Sequence, residues 1–174
     1  MTQEEVKKII RDVPDFPKKG ILFKDLTTAF ANPECMKWFE EEMYRRYKDC
    51  GITKVLGIES RGFVMAPILG NRLNAGFIPV RKKGKLPADT LEVSYAKEYG
   101  VDTIEIHRDA LTESDVVVVH DDLLATGGTM AAAIKLIKKF GVKKIFVNFL
   151  VELDDLNGRK TFDEDIQVES LIHF

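Results

Sequence analysis

The sequence predicts an α/β fold, a mostly parallel sheet flanked by helices, from three features of the chain. Between residues 54 and 151 strand-like and helix-like segments alternate, the order that builds parallel strands joined by right-handed crossovers. Val116-Val117-Val118-Val119 places four β-branched residues in a row, as in a central strand buried on both faces. Asp121 and Asp122 follow at that strand's end, then a short glycine-bearing turn from Leu123 to Gly128. Thr129 opens a helix with Met130, Ala133, Ile134, Ile137 and Phe140 at helical spacing and Gly141 as its stop.

From the N-terminus, Thr2 and Glu5 have capping-box spacing, and Val6, Ile9, Ile10 and Val13 form one apolar stripe. They predict a first helix to about Val13, broken by the two prolines of Pro14-Asp15-Phe16-Pro17-Lys18-Lys19-Gly20. Ile21-Leu22-Phe23 is a short apolar segment ending at Lys24-Asp25. Asn32-Pro33 is a cap followed by a first-turn proline, and Met36, Phe39, Met43 and Tyr47 mark the buried face of a second helix that Gly51 ends. Val55 to Ile58 is the first strand of the main sheet, and Glu59-Ser60-Arg61-Gly62 leads into a helix carrying Phe63, Val64, Ile68, Leu69 and Leu73. Phe77 to Val80 is the next strand, where Pro79 points to an edge or irregular position. Arg81-Lys82-Lys83-Gly84-Lys85 is the most basic run in the chain. Leu91 to Tyr99 and Val101 to His107 alternate in polarity about Gly100, predicting a hairpin that projects from the sheet. Lys143 to Val151 is the last clear core strand, and Ile166 to Phe174 alternates again.

A chain of 174 residues fits one domain with a proper core. Its 26 Lys and Arg against 28 Asp and Glu leave a charge of −2, so nothing global draws it to nucleic acid or to a membrane. The acidic start Met1-Thr2-Gln3-Glu4-Glu5 is unlike a signal peptide, and no apolar run approaches a bilayer span. Cys35 and Cys50, at the two ends of one predicted helix, read as packing residues without a disulfide, which fits a cytoplasmic location. The P-loop, dinucleotide, zincin and C-x-x-C patterns are absent from the sequence. His107, His120 and His173 are too scattered for a metal site, and no residue is assigned as a metal ligand.

The turn after the valine strand carries the chemistry. A glycine-bearing turn into a helix N-terminus collects free backbone N–H groups at the positive end of the helix dipole, which makes an anion cradle. Asp121 and Asp122 would repel a bare phosphate, whereas carboxylates accept readily from a pair of sugar hydroxyls. A diol-bearing ring joined to a phosphate is ribose 5-phosphate. The alternative is an acidic turn that only reverses the chain.

These residues resemble the type I phosphoribosyltransferases. D-D-L-L-A-T-G-G-T from Asp121 to Thr129 is similar to that family's phosphoribosyl pyrophosphate motif. The blocks that resemble its adenine-using branch are Asp15-Phe16-Pro17, Gly20 with Phe23-Lys24-Asp25, Glu59 to Phe63, Arg81 to Pro87, Ser94-Tyr95 with Glu98-Tyr99-Gly100, and Val151-Glu152-Leu153 with Leu156 and Gly158-Arg159. The resemblance implies a type I phosphoribosyltransferase fold in a single domain, residues 1–174. A small hood lies within residues 1–31, and a flexible lid hairpin spans about 82–107.

The implied reaction is adenine plus phosphoribosyl pyrophosphate giving AMP and pyrophosphate, with Mg2+ on the substrate's phosphates, in a homodimer with no nucleic-acid or membrane partner. Ala125, Thr126, Gly127, Gly128 and Thr129 are expected to hold the 5-phosphate, and Asp121 and Asp122 to face the ribose hydroxyls, with one at a magnesium-bound water. Ser60 and Arg61 correspond to the pyrophosphate loop, where backbone strain in the form of a non-proline cis peptide is expected. Arg81, Lys82 and Lys85, a solvated face if taken alone, are assigned to pyrophosphate by their place after a sheet strand. Glu98 and Tyr99 take the acid/base and lid roles by the resemblance alone. Leu22, Phe23, Lys24 and Leu123 correspond to the adenine pocket, with Phe23 equally readable as hood core. His120 stands where an aliphatic residue usually ends the strand, and Lys24 where arginine is frequent. The competing readings are a transferase of the same fold acting on another base, and a non-catalytic regulator, which would need a basic nucleic-acid-binding segment that the sequence lacks.

Overall fold

Seven strands share one sheet in the order β5-β6-β4-β3-β7-β8-β9. The computed structural model describes residues 1–97 and 100–174, so Glu98 and Tyr99 lie outside the described residues. The strands are β3 (Lys54–Ile58), β4 (Gly76–Lys82), β5 (Thr90–Ala96), β6 (Val101–His107), β7 (Val116–Leu124), β8 (Lys144–Glu152) and β9 (Gln167–His173). Pairing is parallel from β4 through β3, β7 and β8 to β9, and antiparallel for β4 with β6 and for the hairpin β5–β6. This is the mostly parallel α/β sheet that the alternating segments predict.

Helices cover both faces. On one side α3 (Pro33–Tyr47) and α4 (Gly62–Arg72) bury Phe39, Met43, Tyr47, Met65 and Leu69 against Val55, Val118 and Phe146. On the other, α5 (Gly128–Lys138) buries Met130, Ala133, Ile134 and Ile137 against Val117, Val119 and Phe149. The central valines therefore feed both cores, which is why their segment shows no alternation.

Two sequence expectations shift at the N-terminus. The first helix, α1 (Gln3–Ile9), starts with the Thr2–Glu5 capping box but stops well before Val13. Val13 instead belongs to β1 (Arg11–Pro14), which pairs antiparallel with β2 (Leu22–Asp25) in a separate two-stranded sheet, followed by α2 (Thr27–Phe30). Arg11 Nη2 and Asp25 Oδ2, 2.8 Å apart, close that sheet's register. A four-residue strand has no periodicity of its own, so its partner 14 residues on decides its state.

Pro79 is not on an edge strand. Val80 C=O accepts from Glu59 N–H toward β3, so the Pro79 backbone faces the other way, where β6 pairs only from Arg81 onward. The missing N–H falls in that unpaired stretch. The strand β7 also runs further than expected. Leu123 and Leu124 pair with Val151 and Glu152, so Asp121 and Asp122 lie inside the strand and the turn shrinks to residues 125–127. Cys35 and Cys50 are free thiols.

His120 is fully buried, its Nδ1 2.8 Å from Asn148 Oδ1 on the neighbouring strand. Burial pushes its pKa down to about 4. A histidine depressed in the folded state gives up stability as pH falls from its ordinary value toward that depressed one. Urea unfolding of the native chain should lose on the order of 3 kcal/mol between about pH 6.5 and 4 through this residue. His120→Gln should flatten that acid limb. An unchanged slope in the variant would place the sensitivity elsewhere.

Candidate active site

The crevice lies between the carboxyl ends of β3 and β7. The chain leaves β3 toward β4 on one side and later returns to β7 on the other, which makes this a topological switch point, the usual ligand position in an open parallel sheet. Two helices start there, α4 after β3 and α5 after β7. Both N-termini lack a side-chain cap, as does the short α2, while Thr2 and Asn32 cap α1 and α3. Uncapped first turns leave N–H donors for a ligand.

The α5 start is shaped by Gly127, at φ +84, in the left-handed region open to glycine. A Cβ there would also stand 2.7 Å from Gly158 O. Gly128 differs: its φ is ordinary for a helix, and a Cβ would meet no atom within 4 Å. Asp121, Leu123, Ala125, Thr126, Gly127, Gly128 and Thr129 together line a cavity of about 220 Å3. Arg61 lines it too.

The acid pair is divided by strand geometry, since successive side chains leave a strand on opposite faces. Asp121 lines the cavity, whereas Asp122 is 1% exposed and lies against Arg61, Nε to Oδ2 3.1 Å. That approach is a charge pairing without an aligned hydrogen bond, so Asp122 Oδ2 keeps unused accepting capacity. Burial raises the Asp121 pKa well above the carboxylate range, and the Asp122 charge adds to it. Burial raises Asp122 as well, opposed by Arg61.

The loop after β3 approaches β7 closely because residue 62 is glycine: a Cβ there would stand 2.7 Å from His120 O. The peptide between Glu59 and Ser60 is cis, as expected of this loop, and so is Phe16–Pro17. Arg81 Nε lies 3.1 Å from Glu59 Oε2, and Lys82 N–H donates to the same oxygen at 2.9 Å. The Arg81 guanidinium first, then that N–H, hold Glu59 below the usual carboxylate range. Buried Glu105 accepts from Lys85 N–H at 3.0 Å and Leu86 N–H at 2.9 Å, which shapes the basic run. Lys82 and Lys85 are exposed.

The hood residues gather around a second cavity of about 410 Å3, lined by Val13, Phe16, Phe23, Asp25, Thr27 and Arg61. Phe16 and Phe23 meet edge to face at 5.2 Å, and the Arg61 guanidinium lies 5.6 Å from the Phe23 centroid. Leu22 is half exposed. The Lys24 side chain turns away, its Nζ 2.6 Å from Asp12 and 4.1 Å from the Phe174 ring centroid. Leu123 therefore does not share a cavity with Phe23, and Arg61 borders both. His120, on the helix α3–α4 side, faces away from the crevice.

Glu152, Asp154 and His173 bring ligand atoms within 4.8 Å of one another, a grouping that could coordinate a metal. Glu152 is already engaged by Arg159 Nε, 2.8 Å to each oxygen, and by the Ser170 hydroxyl at 2.6 Å. A cation would have to displace a guanidinium there.

The crevice pairs uncapped N–H groups with a carboxylate, and the phosphoribosyl transferase domain is the family whose model matches, over residues 30–171. An adenine phosphoribosyltransferase of Bacteroides thetaiotaomicron is 60% identical over 172 residues, 99% of this chain and 98% of that protein. The crystal structure of the enzyme of the same name from Thermoanaerobacter pseudethanolicus superposes with a TM-score of 0.93 at 45% identity, covering 99% of this chain and 100% of that one. The Giardia lamblia enzyme, solved in complex with 9-deazaadenine, gives 0.95 at 42% identity over 100% and 98% of the two chains. The chain belongs to the phosphoribosyl transferase domain family, and within it to the adenine phosphoribosyltransferases.

Of the site residues, Tyr95, Glu59 and Glu105 were not singled out as such in the sequence. Each is an ordinary polar residue in or beside a strand, and only the three-dimensional pairing distinguishes it. A carboxyl whose pKa is raised in the fold binds more protons folded than unfolded, so stability drains as pH climbs from about 4. Asp121→Asn should therefore unfold at higher urea than the native chain at about pH 7, with the gap closing toward about pH 4. A gap that widens on acidification would contradict the burial of that charge.

Proposed function

We propose that the chain transfers the 5-phosphoribosyl group of phosphoribosyl pyrophosphate to adenine, giving AMP and pyrophosphate. The observation that carries this reading is the uncapped start of α5 at Gly127, beside the Asp121 carboxyl, in the switch-point crevice. The N–H groups of residues 125–129 and the hydroxyls of Thr126 and Thr129 hold the 5-phosphate. Asp121 accepts from the ribose diol, and Asp122 anchors Arg61 beneath it.

The C1–O bond breaks toward an oxocarbenium-like transition state, pyrophosphate leaves with the bonding pair, and an adenine ring nitrogen supplies the pair for the new C1–N bond as its proton passes to Glu98. Catalysis then consists of stabilising that leaving charge, holding adenine in line and excluding water. Ser60, Arg61, Arg81, Lys82 and Lys85 supply positive charge and N–H donors on the leaving-group side. Mg2+ carried by the substrate adds further charge neutralisation, and Asp121, the acid that lines the cavity, is the one placed to meet a metal-bound water. The backbone edge of β2 at Leu22 and Lys24 reads the purine, with Phe23 as apolar surface in the hood cavity and Leu123 across Arg61 in the neighbouring one. Glu98 serves as acid/base on the purine, and Tyr99, next to it in the sequence, shares the lid role. The enzyme works as one domain and as a homodimer in the cytoplasm, on small molecules alone. The balanced charge of −2 supports the absence of a nucleic-acid partner.

Purified protein should form AMP from adenine and phosphoribosyl pyrophosphate with Mg2+, and hypoxanthine turned over at adenine's rate would overturn the choice of base. Because a Gly128 side chain would meet only open space, Gly128→Val should keep the melting temperature yet weaken AMP binding by roughly a hundredfold in calorimetry. Unchanged affinity would remove the cradle from this reading. Glu98→Gln should lower kcat far more than it weakens adenine binding; equal losses would take Glu98 out of the chemical step.

A further inference from the structure

The Tyr95 hydroxyl, on β5, lies 3.1 Å from Thr129 Oγ1 and 3.5 Å from Asp102 Oδ2. Thr129 belongs to the first turn of α5 and lines the phosphate cavity. Asp102, opposite Tyr95 in the hairpin register, pairs with Lys97, and Lys82 Nζ is 4.0 Å from it. The hairpin is laid along α5, fastened a second time where Lys139 Nζ donates to Glu92 O at 2.8 Å. Tyr95 is thus the point at which the hairpin touches the cradle.

Each hydroxyl in the Thr129–Tyr95 pair has a single proton, and either can be the donor. If Thr129 donates to Tyr95 and Tyr95 to Asp102, no proton points into the cavity. If Tyr95 donates to Thr129, the threonine proton is free to meet a phosphate oxygen, and the two hydroxyls in series polarise each other. A phosphate, which only accepts, selects the second direction and releases Asp102 to Lys97 and Lys82.

We propose that Tyr95 is a positioning residue for the 5-phosphate: its hydroxyl aims the Thr129 proton at the phosphate and links occupancy of the cradle to the lid hairpin. This rests on the functional reading above. Tyr95→Phe removes the hydroxyl and keeps the ring. The full-length chain would be assayed for the KM of each substrate, and by calorimetry for AMP and for adenosine, which lacks the phosphate.

Tyr95→Phe should raise the KM for phosphoribosyl pyrophosphate and the Kd for AMP by roughly three- to tenfold, the span of one neutral hydrogen bond, while adenosine binding and the adenine KM stay unchanged. In a Thr129→Val background the same substitution should add nothing. Equal weakening of AMP and adenosine, full additivity with Thr129→Val, or no effect on AMP would each overturn the proposal while leaving AMP formation intact. A native chain that neither binds AMP nor forms it would instead overturn the functional reading on which the proposal stands.

Discussion

Two helix starts without caps, facing each other across one crevice, are the constraint on which the rest of this structure depends. Leaving the first-turn N–H groups of α4 and α5 without side-chain partners forgoes about 1 kcal/mol of capping at each. At α4 the Phe63 and Val64 N–H groups turn back to Ser60 O and Arg61 O, so on the proposed reading the anion site is the start of α5. The sheet makes the arrangement possible: β3 and β7 are neighbours, and their connections depart in opposite directions. Gly62 brings the two loops within contact distance by having no side chain to hold them apart.

The electrostatics follow from that closeness. Asp122 is buried and the adjoining Asp121 half-buried, so their ionisation works against the fold. Arg61 offsets part of the cost through Asp122, and its guanidinium also lies by the Phe23 ring of the hood. One side chain therefore borders the cavity at the start of α5 and the apolar hood cavity at once. A site that stores unfavourable charge in this way gives up stability for function, a common trade in enzymes.

The sheet was legible in the sequence because its signals are local: four consecutive valines, a cap at Asn32, glycines where the backbone turns. Asp121 to Thr129 was legible because a strand, an acid pair and a glycine turn fall within one short stretch. Where the reading missed, the deciding contact was distant. Val13 joined β1 because β2 pairs with it, and β7 passed through its aspartates because β8 continues alongside to Glu152. Tyr95 shows the same limit, since its partner Thr129 lies 34 positions away. Glu98 was reached through family resemblance and by no property of its neighbours.

Lys24, where the family resemblance leads one to expect arginine, is held by contacts that do not involve the hood cavity. Its ammonium is engaged by Asp12 and by the face of Phe174, on the side of β2 away from the hood cavity. Lys7 Nζ also approaches that ring, 5.5 Å from its centroid. The side chain thus fastens the hood to the end of the sheet, where Phe174 continues the β8 pairing through Glu152 O. A guanidinium could pair with the same carboxylate and stack on the same ring face, so either cation can be held there. What position 24 offers to a purine is its backbone, and a backbone is the same whether the residue is lysine or arginine. A lysine here therefore leaves unchanged the edge of β2 that the proposed reading assigns to adenine.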